Sequence, residues 1–80
     1  MNISVIKKLI EDCSIEELKA AGNEMEEGEN PSIEIEGKDE GEQLTHILAS
    51  IWIKEDMQKN GNDVRTSIRR YSEKVRKSIS

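Results

Sequence analysis

Glu40-Gly-Glu-Gln-Leu-Thr-His-Ile-Leu-Ala-Ser-Ile-Trp-Ile-Lys-Glu-Asp-Met-Gln-Lys-Asn60 decides how this chain folds. Leu44, Ile47, Leu48, Ile51 and Trp52 recur at i, i+3, i+4, i+7 and i+8, which is the apolar face of an α-helix. A second, smaller seam of His46, Ala49, Ser50, Ile53 and Met57 runs along the opposite side. A helix with two such sides is buried on both. Residues 40–60 are therefore either the central helix of the domain or a helix whose second seam meets another subunit. The acidic lead-in from Gly37 to Glu42 suits a helix start, where the macrodipole is positive.

On the C-terminal side, Asn60-Gly61-Asn62 is a helix stop, with Gly61 placed for the left-handed C-cap and Asp63 for the N-cap of a last helix. Val64, Ile68, Tyr71, Val75 and Ile79 then repeat at helical spacing as one narrow apolar stripe. Arg65, Arg69 and Arg76 flank it on one side and Arg70, Lys74 and Lys77 on the other. The short linker folds this helix back antiparallel on the previous one.

On the N-terminal side, Ser32 to Glu36 alternates apolar Ile33 and Ile35 with Glu34 and Glu36, the period of a half-buried strand with no evident partner. Before it, Gly28 to Pro31 breaks a helix that starts at the capping box Ser14-x-x-Glu17 and buries Ile15, Leu18, Gly22 and Met25. The first stretch, with Ile3, Ile6, Leu9, Ile10 and Cys13 at helical spacing and Val5 widening the stripe, is a short amphipathic helix. The expected fold is mostly α, one domain over 1–80. It is a small bundle of about four helices (3–12, 15–27, 40–60, 63–79) with an acidic loop at 28–42 and a short extended or strand-like segment near 32–36.

Charge is sorted along the chain. Residues 1–42 carry thirteen carboxylates against four lysines, whereas residues 43–80 carry eight cations against four carboxylates. Such polarity attracts the chain to itself, to a copy, or to a charged partner. Charged residues at 36% and no Phe lean towards disorder, but the ordered apolar registers argue for a folded domain. Eighty residues bury only about 60 to 65% of the unfolded surface, so a monomeric core is modest. A single cysteine, Cys13, excludes an internal disulfide and a cysteine zinc framework, which leaves oligomerisation as the remedy. Lys7 and Lys8 interrupt the first apolar stretch, and the longest large-apolar run is Ile51-Trp52-Ile53. No signal or membrane segment is expected, and the location is expected to be cytoplasmic.

Chemistry is sparse. His46 with Glu42 is the only histidine and carboxylate pair at i, i+4, and two ligands from one helix do not make a metal site. The competing reading is a histidine in a packing seam, hydrogen-bonded to a neighbour. Asp39, Glu40 and Glu42 offer oxygens for calcium but lack EF-hand spacing, and an acidic first turn explains them better. Cys13 sits on the apolar stripe of its helix, as a small core residue does. No phosphate-binding glycine loop or nucleophile elbow occurs. No cofactor, catalytic group or enzymatic activity is expected. The basic helix could contact phosphates through Arg65, Arg69, Arg70, Lys74, Arg76 and Lys77, against the acidity of the first half.

The block Ile33-Glu-Ile-Glu-Gly-Lys-Asp-Glu-Gly-Glu-Gln-Leu-Thr-His-Ile-Leu-Ala-Ser-Ile-Trp-Ile-Lys-Glu55 resembles one that recurs in a family of small uncharacterised bacterial proteins known as a domain of unknown function. Val5-Ile-Lys-Lys-Leu9, Ser14-Ile-Glu-Glu-Leu18 and the tail from Val75 to Ser80 are similar to the same family. The resemblance spans nearly the full chain and implies no activity and no site residues.

The expected role is a non-enzymatic, self-associating structural or interaction domain, a two-fold dimer whose contacts are His46, Ala49, Ser50, Ile53 and Met57 with Ile33 and Ile35. A nucleic-acid-binding module using the basic helix is the alternative, and a metal protein built on Glu42 and His46 ranks last. Trp52 is expected to be the most costly side chain to truncate, at roughly 3 to 5 kcal/mol if it is core.

Overall fold

The computed structural model describes residues 2–79, and side chains over residues 2–77. Four helices follow one another: α1 (Ile3–Asp12), α2 (Ile15–Glu26), α3 (Glu40–Asn60) and α4 (Val64–Ile79). Each begins for a local chemical reason. Asn2 Oδ1 accepts from the Ser4 and Val5 amides at the start of α1. Ser14 and Glu17 close both bonds of a capping box before α2, Ser14 N to Glu17 Oε1 at 2.9 Å and Glu17 N to Ser14 Oγ at 3.1 Å. Asp39 accepts from Glu42 N at 2.8 Å, and Asp63 from Thr66 N at 2.8 Å. Gly61 takes a φ of 66° and ends α3 with its amide on the Met57 carbonyl. Ile79, expected on the α4 stripe, has its side chain outside the described residues.

α3 is the centre. Its 21 residues extend about 31 Å at 1.5 Å each, matching the 32 Å longest dimension of the molecule. The other three helices pack against α3. They make two apolar clusters. One joins Val5 and Leu9 of α1, Leu18 and Ala21 of α2, Ile35 and Ile47, edged by Cys13, Met25, Ile33 and Ile51. The other joins Ile6 and Ile10 of α1 to Ala49 and Ile53 of α3, edged by Trp52, Met57, Val64, Ile68 and Tyr71. α1 thus splits its stripe between the two sides of α3.

Residues 31–39 correct one expectation: no strand occurs among the described residues. The alternation is real, since Ile33 and Ile35 turn inward while Ser32, Glu34 and Glu36 are exposed, but its partner is a helical surface. This strap lies on the first cluster. Ser32 ties its start to α2 through Glu24 Oε1 (N at 3.3 Å, Oγ at 3.1 Å). At its far end Gly37 runs so close to α3 that an added Cβ would stand 2.8 Å from Gln43 Cγ and 3.0 Å from the Gln43 amide nitrogen. The acidic loop also stops short of 42, because Glu40, Gly41 and Glu42 form the first turn of α3.

Candidate functional site

His46 is fully buried, and both of its ring nitrogens are engaged. The Asn2 amide can only donate, so Nε2 accepts from it at 3.0 Å. Nδ1 then carries the proton and donates to the Glu36 carbonyl oxygen at 2.8 Å. One imidazole thereby fastens the start of α1 and the end of the strap to α3. Glu42 Oε1 lies 4.0 Å from Nε2, but the lone pair a metal would need is already spent on Asn2. No group of three or more His, Cys, Asp and Glu among the described residues is placed to hold a metal ion. Asp39, Glu40 and Glu42 serve the first turn of α3.

Cys13 follows α1 directly, half-buried, with its amide on the Leu9 carbonyl. Burial pushes its thiol above the ordinary value, and Glu17 and Asp12 push it further, which disfavours the thiolate a nucleophile requires. The adjoining cleft between α1 and the strap holds about 250 Å³, below the roughly 300 Å³ at which ligand pockets begin.

The seam expected to meet a second subunit is closed within the chain. His46, Ala49, Ser50 and Ile53 are all fully buried, and Met57 edges the second cluster. Ser50 Oγ bonds back to the His46 carbonyl at 2.7 Å, so its polar group is satisfied inside its own helix. Ile33 and Ile35 are occupied by the first cluster. The larger face behaves the other way. Only Ile47 of that face is fully buried; Leu44, Ile51 and Trp52 are half-exposed, and Leu48 is 51% exposed. Ala49 and Ser50 went inside together with Ile53 and His46; α1 and α4 cover Ala49 and Ile53.

The exposed stripe lies in a valley between two helices. From Glu55, one bridge crosses to Lys19 of α2 at 3.6 Å. From Asp56, the next residue round the helix, Arg70 of α4 is reached at 3.0 Å, and Trp52 meets Tyr71 with ring centroids 5.5 Å apart and ring planes tilted by 53°. Leu48 and Leu44 continue this stripe towards the start of α3, with α2 on one bank and α4 on the other.

Asp56 was not marked by any motif, yet it organises the α4 bank. Its buried carboxylate accepts from Asn60 Nδ2 at 2.8 Å, Asn62 Nδ2 at 3.2 Å and Arg70 Nε at 3.0 and 3.2 Å. Burial raises its pKa, but hydrogen bonds from its neighbours outweigh that and hold it below the ordinary carboxylate range. The buried Ser67 hydroxyl of α4 lies beside the same carboxylate without closing a hydrogen bond to it. The i, i+4 spacing of Asp56 and Asn60 was the available sequence signal. Lys54 was also missed: its Nζ donates to the Ile10 carbonyl at 2.9 Å and satisfies the end of α1 from α3, a contact with no local signature. Arg65, Arg69, Arg70, Lys74, Arg76 and Lys77 are all exposed along α4. No helix among the described residues is long and apolar enough to cross a membrane.

Residues 1–80 match the family described as a family of unknown function (DUF6952). No curated protein and no solved structure matches the chain.

Proposed function

We propose, for a chain that belongs to that family of unknown function, that it is a non-enzymatic interaction domain that associates with a copy of itself. One observation carries the reading: Leu48 stands 51% exposed amid half-exposed Leu44, Ile51 and Trp52 on the central helix. Fully covering a leucine is worth about 1.5 to 3 kcal/mol, and a domain this small has few other reserves. The molecule is 19 Å thick, about two helix layers, and Leu48 is left exposed by the described residues.

Light scattering at micromolar concentration tests this. A dimer mass is expected, and Leu48→Glu should return the protein to monomer with unchanged helicity, because Leu48 supports little of the internal packing. A wild-type monomer would overturn the reading.

A second reading rests on a specific observation, the exposure of all six α4 cations. A phosphate-binding α4 would retard duplex DNA at low salt, with the slope of log K against log salt reduced by about 0.9 for each contact removed. No retardation of the wild type at low salt would end it.

A further inference from the structure

We infer that His46 is a proton-operated latch on the start of α1, closed while its imidazole is neutral and opened when the ring takes up a proton. Self-association is a separate matter, since the latch lies among α1, the strap and α3 of one chain.

The geometry sets the sign. Nε2 accepts from the Asn2 amide at 3.0 Å, and Nδ1 donates to the Glu36 carbonyl at 2.8 Å. Only the neutral ring protonated at Nδ1 can serve both partners. A second proton lands on Nε2 and sets N–H against N–H, so the Asn2 bond is lost while the Glu36 bond is kept. Opening is therefore one-sided: α1 lets go and the strap stays. The new Nε2–H has a receiver, because Glu42 Oε1 lies 4.0 Å away, one turn earlier on α3. Along the cleft that His46 shares with Asn2, the charged side chains are Lys8 of α1, Glu36 and Lys38 of the strap and Glu42 of α3. Two ammonium groups offset two carboxylates there, and Glu42 is the carboxylate within ion-pair reach of the ring.

Asn2 transmits the change. Its Oδ1 caps α1 by accepting from the Ser4 and Val5 amides at 2.9 and 3.4 Å, and its carbonyl accepts from the Ile6 amide at 3.2 Å. Freeing Asn2 loosens the first turn, which carries Val5 of the first apolar cluster and Ile6 of the second. One proton thereby reaches both sides of α3. The closed form binds fewer protons than the open one, so it is favoured at high pH and lost as pH falls.

Nitrogen NMR of the ring and amide exchange, followed from about pH 8 to about pH 5 where imidazole takes up a proton, test the latch. The ring should pass from the Nδ1–H form to the doubly protonated one, and the protection factor of the Ile6 amide should fall about tenfold in step with it, while Leu18 of α2 keeps its protection. Glu42→Gln, which leaves the backbone bond from residue 42 to Asp39 in place, should move both changes to a pH about 1 unit lower. His46→Gln should show Ile6 protection that no longer varies over this range. If that variant does not fold, Glu42→Gln still decides, because its side chain is 31% exposed and tolerates the change. A wild-type ring that stays neutral until α2 also unfolds overturns the latch. So does an α1 opening that persists in His46→Gln, or a Glu42→Gln protein that titrates with the wild type.

Discussion

On one side of α3, α2 buries Leu18, Ala21 and Gly22; on the other, the only residue that α4 buries among those described is Ser67. Val64, Ile68, Tyr71 and Val75 all stay half-exposed. The two sides compensate differently. The α2 side relies on apolar burial, a complete capping box and a strap lying over it. The α4 side relies on a carboxylate, Asp56, that gathers donors from α3, the linker and α4. Apolar burial is non-directional and survives changes of pH and salt, whereas a hydrogen-bonded carboxylate fails when it is protonated. The molecule therefore has one robust bank and one conditional bank.

Leu18→Ala attacks the robust bank and should have the largest effect, about 2 to 5 kcal/mol by loss of transfer energy and opening of a cavity. Total stability for this length is about 4 to 12 kcal/mol at 0.05 to 0.15 per residue, so chemical denaturation should show a sharply lowered midpoint or no folded baseline. Trp52→Ala should cost less than Leu18→Ala, because Trp52 is half-exposed at the edge of its cluster.

Asp56→Asn attacks the conditional bank. It should speed amide exchange throughout α4 while α2 keeps its protection; uniform loss of protection would mean that the two sides unfold as one unit. The same carboxylate gives the acid limb of stability its shape. Its pKa is lower folded than unfolded, so between those two values the unfolded chain binds more protons. Its contribution is complete above the ordinary range near about 4 and is lost as pH falls through the folded value. Asp63, held low by the Thr66 amide and hydroxyl at the α4 N-cap, adds in the same direction. Asp56→Asn should flatten this limb in an acid titration followed by circular dichroism.

Ile68→Ala should cost about 1 to 2 kcal/mol, since only part of a full isoleucine burial is present to lose. Ser14→Ala removes one capping bond on the robust side and should cost about 1 kcal/mol. A larger loss from Ile68 than from Leu18 would invert the comparison.

Much of the layout was legible locally. Ser14 and Glu17, the Asp63 cap and Gly61 act through bonds within a few residues, so their spacing states their role. The alternation at 32–36 was also visible, but alternation reports only which side chains face inward, not whether they face a sheet or a helix pair. His46 was legible as a seam residue satisfied by a neighbour, yet neither Asn2 nor Glu36 could be named, because both bonds join segments that only the fold brings together.

The apolar period, caps and breakers by themselves determined four helices and their approximate limits, for these depend on contacts within about one turn. They also fixed the sorting of charge. Only the tertiary structure decided which face of α3 turned inward. The larger side chains mark a face that could be buried, but α1 and α4 pack on the opposite side of α3, where Ile53 is buried beside Ala49. Ala49 and Ser50 went inside, and Leu48 was left in the open valley between α2 and α4.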